Sequence, residues 1–436
     1  MKLKDSLILN GYDVPTHAES IVFHKPGKAR VEKVITPKDV YEYSLKNSKG
    51  RWGVLVQPLI VGLCPTDQTG GNLSFPPGSI RSLGNPNCPA VAGHEFTGKV
   101  VAANQKSMKQ LFQRGIKLGD MVVGDINVGC AECFQCSRND PPIYCNNGTA
   151  FIGIGNSANS SWVGAQTGRP HVPGAYTKGF VVLPASNVYK IPIKDFKNIN
   201  QLAVFSQADA VACSKTSCDA MGITNFEQMR GFNNPNVLII GAGRTGAWHA
   251  AIAKKLLPNI RIYLADIDKD NLNMVGSLLD IPKNQRYLIS KDSDNPYSRD
   301  NLKAAFGKDY LFDFIIDTAG HDAFDGKTIT RLLQENIANG GAFCTNSHIG
   351  VSGIDAGHSN LILGMKRFVN GLSPQNNFEF ALSFLSSNLK RYAPFMSEIR
   401  GGLSQKLAQI VATGGEMYKK QMEGTTFYSV VNHINF

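Results

Sequence analysis

The sequence predicts an α/β protein with a β-rich domain over residues 1–206, a doubly wound parallel sheet over 207–370, and a C-terminal segment over 371–436. Three observations predict it. The chain is 436 residues long, more than a single core usually needs, so two domains are expected. Before residue 206, short β-branched runs ("GVLVQPLIV", "FTGKVVAA", "DMVVGDI", "GFVVLPAS") are separated by Gly, Pro and Asn, as in a β-rich domain. After it, strand-like runs alternate with helical ones: "NVLIIGAG" leads into "GAWHAAIAKKLL", which stops at Pro258, and "IRIYLADID", "DFIIDTAG" and "GGAFCTNSHIG" follow. That alternation is the signature of a parallel sheet covered by helices. The tail has helical periodicity in "FEFALSFLSSNL" and a strand-like "TFYSVVNHI".

Composition narrows the class. Hydrophobic residues make up 42% and charged residues 18%, which suits a globular chain and excludes a disordered one. No apolar run reaches 18 residues, so no membrane span is expected, and "MKLKDSLILNGYDVP" is too short in apolar residues for a signal-peptide core. A cytoplasmic protein is the expectation. The net charge of +11 would suit a polyanion, but Lys and Arg are scattered from Lys2 to Lys420 without a clustered face, so no nucleic-acid partner is expected. Nine cysteines, unevenly spaced, point to reduced thiols and metal binding rather than to a disulfide scaffold.

In "VLIIGAGRTGAWHAA", Gly241, Gly243 and Gly246 form G-x-G-x-x-G between a strand-like run and a helix, with Arg244 and Thr245 as the intervening residues. The first glycine allows the tight turn, the second lets backbone approach a pyrophosphate, and the third lets helix and strand pack closely. Asp266 ends the next strand-like run, twenty residues after Gly246, where a carboxylate can accept hydrogen bonds from ribose hydroxyls. It would repel a 2′-phosphate, so NAD is preferred and NADP is possible. Asp268 is a competing candidate for the same role.

Cys130, Cys133, Cys136 and Cys145 follow C-x2-C-x2-C-x8-C, four thiolates from one short lobe, enough for a closed tetrahedral zinc site of structural type. A nucleic-acid zinc finger would separate its two pairs by a dozen or more residues, and these pairs overlap. Elsewhere, "GLCPTDQTGG" carries Cys64, Thr66 and Asp67, and "VAGHEFTG" carries His94 and Glu95. Cys, His and a later third ligand are what a catalytic zinc uses when one position stays open for substrate.

In order and content these motifs resemble the zinc-containing medium-chain dehydrogenase/reductase superfamily, the alcohol and polyol dehydrogenases. The resemblance rests on "GLCPTD", "AGHEFTGKVV", "GDMVV", the Cys lobe, "GAGRTG" and "FDFIIDTAG", from about residue 50 onward. It implies a GroES-like β-rich catalytic domain interrupted by a Rossmann domain, with residues 371–436 returning to the first. It also implies catalytic-zinc ligands Cys64 and His94, Glu95 as a neighbouring acid able to approach the metal, Thr66 as a proton relay, and Asp67 behind it. The position usually held by Cys or Glu is Gln207 in "FSQADAVACSK", a stretch that resembles the glucose dehydrogenase branch, as does "KRFVNGLSPQNNFEFAL". The third ligand stays open between Gln207 and Glu95, with Cys213 a few residues on. The acid that branch uses on the sugar is not evident in "CNNGTAFIGIGNSANSSW". The x8 spacing, where x7 is usual, and residues 1–20 are further departures. The resemblance implies a zinc-dependent oxidoreductase passing hydride from a sugar, polyol or related alcohol to NAD(P), in a homo-oligomer, dimer or tetramer. The alternative is a catalytically weak or inactive nucleotide-binding member of the same fold.

Overall fold

The computed structural model describes residues 6–25, 28–35, 52–64, 90–129, 132–146, 150–151, 174–193, 195–225, 234–290, 295–307, 311–319, 328, 331–346, 366–370, 374, 376–399, 404, 407–409 and 428–432. The chain divides into two units, residues 1–209 with 378–436, and residues 210–377. The stretch from 378 onward joins the first unit.

The first unit is built around β1 (Trp52–Gly62), the run "WGVLVQPLIVG". Its residues from Val54 to Val56 and from Leu59 to Val61 are buried, because sheet partners and core cover both faces. β1 pairs antiparallel with β2 (Phe96–Ala103), and β2 with β3 (Met121–Gly124). β4 (Val181–Pro184) also pairs with β1, and β5 (Val188–Lys190) with β3. Pro58 lacks a ladder donor, and the β1–β2 register shifts between Pro58 and Ile60. Strand Tyr428–Asn432 pairs antiparallel with β1, and Met396–Ile399 pairs parallel with it. Leu55, Val56, Val61, Phe96, Val100, Val122, Tyr176 and Phe180 form the heart of one core. Each large side chain so buried contributes about 1.5–3 kcal/mol.

Residues 1–20, which match no pattern in the sequence, contain a hairpin, Ser6–Leu9 with Tyr12–Pro15. Its turn is Asn10-Gly11, both at positive φ (52° and 80°), the conformation that an Asn-Gly pair accepts at least cost. His17–Lys25 then pairs with Lys28–Ile35 and with Ala90–Val91.

The first unit ends in α1 (Ile199–Phe205), capped by the Asn198 side chain on Gln201 N–H, and α2 (Ala208–Met221) leads the chain into the second. There six strands run parallel: β6 (Asn236–Ile240), β7 (Arg261–Asp266), β8 (Arg286–Leu288), β9 (Phe312–Asp317), β10 (Ile337–Thr345) and β11 (Arg367–Asn370). Their spatial order is β8-β7-β6-β9-β10-β11. Order reverses between β6 and β9, and ligands of such sheets bind outside the carboxyl ends of the strands at that switch. α3 (Arg244–Leu256) follows β6, and α4 (Lys269–Leu278) follows β7. Among the described residues no helix is long and apolar enough to cross a membrane.

A buried polar chain ties α3 to the end of β10. His249 is fully buried. Its Nδ1 lies 2.8 Å from Thr245 C=O, which can only accept, so Nδ1 carries the proton. Nε2 is then the acceptor, and Asn346 Nδ2 donates to it at 3.0 Å. Asn346 Oδ1 in turn accepts from Ser217 Oγ at 3.1 Å. Burial pushes the His249 pKa down to about 4, so the ring is neutral at neutral pH. The unfolded chain binds the proton first, so no penalty exists above about pH 6.5. The penalty grows as pH falls through that value and is complete below about 4, on the order of 3 kcal/mol. His249→Gln should therefore flatten the decline of the thermal midpoint between pH 6.5 and 4.5, measured by calorimetry. An unchanged slope would show that the ring titrates normally in the fold.

Candidate functional site

In the second unit, the turn after β6 forms a cradle. Gly241 has φ +94°, and its N–H donates to Ala265 C=O at 2.8 Å. A side chain there would also strike Thr318 Oγ1, 2.8 Å from the Cβ position. Gly246, in the first turn of α3, is more tightly constrained: a Cβ would lie 1.9 Å from Gly241 O. Gly243, which caps α3, would meet nothing within 4 Å, so that side of the loop is open to a ligand. Arg244, Thr245 and Gly246 supply the first amides of α3, the positive end of its dipole, suited to a phosphate.

Asp266 stands at the carboxyl end of β7, only 8% exposed. Ala242 N–H, from between the first two glycines, donates to one carboxylate oxygen, and Asp268 N–H to the other at 2.8 Å. Burial raises the Asp266 pKa, and the amide bonds oppose the rise without cancelling it. Asp268 has a different task. Its Oδ1 accepts from Asp270 and Asn271 N–H and caps α4, as a short polar side chain before a helix does.

In the first unit, β1 and β2 bring together residues thirty positions apart. Gly62 N–H donates to Glu95 C=O at 2.6 Å, and Val61 sits opposite Phe96. Cys64 lies just past the end of β1, and His94 and Glu95 just before β2. Cys64 Sγ, an imidazole nitrogen of His94 and a carboxylate oxygen of Glu95 all lie within 4.8 Å of one another. The three residues are 8%, 3% and 2% exposed. One thiol, one imidazole and one carboxylate, buried and convergent, are a donor set that fits zinc.

Gln207 is fully buried in the first unit, with Nε2 at 3.4 Å from Ser206 Oγ. Its motif does not end a strand, as the other two motifs lead one to expect, but forms the junction between α1 and α2. The turn is closed by Ser206 and Gln207 N–H bonds back to Ala203 and Val204 C=O. Cys213 lies half-buried within α2, in the second unit. Thr66 and Asp67 fall outside the described residues.

The cysteine lobe converges too. Cys133, Cys136 and Cys145 offer sulfurs within 4.8 Å of one another, with Cys133 and Cys145 Sγ 3.9 Å apart. Cys133 caps the one-turn helix Phe134–Ser137, and Cys145 follows the 3-10 turn Pro142–Tyr144. Phe134 and Tyr144 are 62% and 54% exposed, so the lobe's large apolar groups do not form a core of their own. Thiolates at this spacing fit zinc. Cys130 lies outside the described residues.

Residues 50–193 match the family model of the alcohol dehydrogenase GroES-like domain. The L-threonine 3-dehydrogenases of Escherichia coli (strain K12) and Vibrio atlanticus (strain LGP32) are 27% identical to this chain over 190 residues. That match spans 44% of this chain and 44% of each relative, less than half of their length. The L-idonate 5-dehydrogenase structure from Escherichia coli has a TM-score of 0.66 at 17% identity, over 95% of this chain and 98% of that one. Galactitol-1-phosphate dehydrogenase from Escherichia coli gives 0.63 at 18%, over 95% and 99%. A structure assigned as a zinc-binding dehydrogenase from Sinorhizobium meliloti 1021, bound to NADP, gives 0.67 at 18%, also over 95% and 99%. The chain thus has the fold of these solved dehydrogenase structures, and residues 50–193 are similar to the alcohol dehydrogenase GroES-like domain.

The sequence pattern marks the glycines but not what locks them. His249 and Asn346 carry no motif, and their pairing depends on α3 lying against the end of β10. Because a methyl group at Gly246 would collide with backbone, Gly246→Ala should destabilise the second unit by about 3 kcal/mol. Denaturant unfolding followed by circular dichroism measures it. A variant as stable as wild type would mean that α3 can shift away from β6 without loss.

Proposed function

We propose that this protein is a zinc-dependent dehydrogenase that passes hydride from a CH–OH group of a sugar, polyol or related small alcohol to NAD(P). The observation that carries the reading is the convergence of Cys64, His94 and Glu95 within 4.8 Å, in a chain that also holds the glycine cradle and Asp266. The similar proteins are named for threonine, idonate and galactitol-1-phosphate, each a small polar molecule, which supports the substrate class. Within that class, "FSQADAVACSK" favours an aldose.

Cys64 and His94 would hold the metal, with Glu95 or Gln207 as the further ligand. Bound there, zinc supplies Lewis acidity toward a substrate hydroxyl and eases loss of its proton. A neutral Gln207 amide cancels no positive charge, so a site completed by it is more polarising and looser than one completed by a thiolate. Thr66, with Asp67, would carry the released proton outward, the role the family resemblance gives them. Gly241, Gly243 and Gly246 with the amides of Arg244 and Thr245 receive the pyrophosphate, and Asp266 accepts from the adenosine ribose hydroxyls. Cys133, Cys136 and Cys145, with Cys130 as the fourth thiolate, would hold a structural zinc that takes the place of the apolar core the lobe lacks.

The test combines metal counting with a substrate panel. Cys64→Ala and Cys133→Ser should each lose about one equivalent of zinc. Cys64→Ala should also abolish NAD reduction at 340 nm while NAD still binds, whereas Cys133→Ser should lower thermal stability. Full zinc content and full turnover in Cys64→Ala would end the reading. No turnover by wild type on aldoses, polyols or alcohols, with NAD bound normally, would favour the inactive nucleotide-binding alternative.

Cofactor choice is tested separately. Like charge between Asp266 and a 2′-phosphate costs about 1–3 kcal/mol, so NAD should be favoured about ten- to a hundredfold in kcat/KM. Asp266→Asn should narrow the gap. Equal use of both cofactors by wild type would assign the ribose to another group.

A further inference from the structure

Building on the zinc reading, we infer that Tyr176 is the positioning residue that sets the separation of Cys64 and His94, and that the strand His17–Lys25 holds it in place. Tyr176 is fully buried in the core of the first unit. Its hydroxyl donates to Gly62 C=O at 2.8 Å, two residues before Cys64. Its backbone N–H donates to Ala92 C=O at 3.1 Å, two residues before His94. The ring packs closely on Gly93, the residue between Ala92 and His94: a Cβ on Gly93 would stand 3.0 Å from Tyr176 Cδ2. Gly93 has φ +95°, so the backbone turns there toward His94 in a conformation that L side chains rarely adopt. Ala175 N–H donates to Gly93 C=O and Gly174 N–H to Val91 C=O, both at 2.8 Å. One aromatic side chain is thus bonded to the end of β1 and packed on the turn before β2, the two places from which the ligands emerge.

What holds Tyr176 comes from outside the matched domain of residues 50–193. Ile21 N–H donates to Tyr176 C=O at 2.9 Å, and Ser20 Oγ donates to Thr177 Oγ1 at 2.8 Å. Lys178 N–H donates to Glu19 C=O at 2.8 Å, and the Lys178 and Glu19 side chains form an ion pair. The same strand places Val22 opposite Val91 and Phe23 opposite Ala90, on the segment that leads to His94. Residues 17–23 therefore clamp both the tyrosine and the ligand turn.

The consequence is specific to the hydroxyl. Tyr176→Phe keeps the ring that fills the core but removes the bond to Gly62 C=O, leaving the β1–β2 pairing alone to tie the end of β1 to the ligand turn, so the donor atoms are spaced less tightly. Support of this kind commonly changes metal affinity ten- to a hundredfold. In Tyr176→Phe, zinc at the Cys64 site should bind about tenfold more weakly in competition with a chromogenic chelator. The visible band of cobalt(II) at that site, isolated as the difference between each protein and its Cys64→Ala form, should shift, while zinc in the cysteine lobe stays bound. Val122→Ala, a cavity in the same core away from the ligands, should lower stability without moving the band. Wild-type affinity with an unshifted band in Tyr176→Phe overturns the inference, as does an equal shift in Val122→Ala. If Tyr176→Phe does not fold, Ser20→Ala is read instead, and a band unchanged there overturns it. Absence of any cobalt difference between wild type and Cys64→Ala overturns the zinc reading itself, and this inference with it.

Discussion

One backbone hydrogen bond sets the register on which the candidate metal site depends: Gly62 N–H to Glu95 C=O, 2.6 Å, at the mouth of the β1–β2 pair. It sets the register in which Val61 faces Phe96, and so decides that Cys64 and the His94–Glu95 pair leave the sheet side by side. A slip of one residue in that pairing would turn every side chain of β2 to the other face and separate the donors. The buried run from Leu59 to Val61 pins the register from one side and Phe96 from the other. The convergence of thiol, imidazole and carboxylate therefore rests on ordinary core packing of the residues that flank them.

The second unit solves a similar problem with smaller means. Close approach of α3 to β6 is possible because Gly246 has no side chain, and the loop between them is tied to Asp266 through Ala242 N–H. The carboxylate at the end of β7 is thus bonded to the glycine loop that opens α3. The His249–Asn346 bond then links α3 to the residue that follows β10.

Much of this was legible in the sequence because each signal was local. The glycine triplet, Asp266 and the cysteine spacing are read from residues a few positions apart, and short-range geometry alone constrains them. The identity of the two sheets was legible as a change from isolated β-branched runs to alternating strands and helices. Other features lay beyond reach for a physical reason. Gln207 sits between two helices, and the apolar run around it reads equally well as a strand. Asp268 resembles Asp266 in sequence, and only the helix that follows shows it to be a cap. Tyr176 and His249 act through partners more than eighty residues away or across packed elements, and no periodicity announces that.

The path of the chain through β1 bears on the order in which the two units can form. The second unit is one continuous stretch, so every partner in its sheet exists once residue 377 has been synthesised. The sheet of the first unit remains incomplete until Tyr428–Asn432 arrives to pair with Ile60–Gly62 of β1. Long-range pairings of that kind form slowly, because the intervening loop must close before any contact rewards it. During synthesis the nascent chain therefore has all the strands of the parallel sheet while the Ile60–Gly62 end of β1 still lacks its partner. An exposed edge of this sort is where chaperones bind and where two unfinished chains adhere.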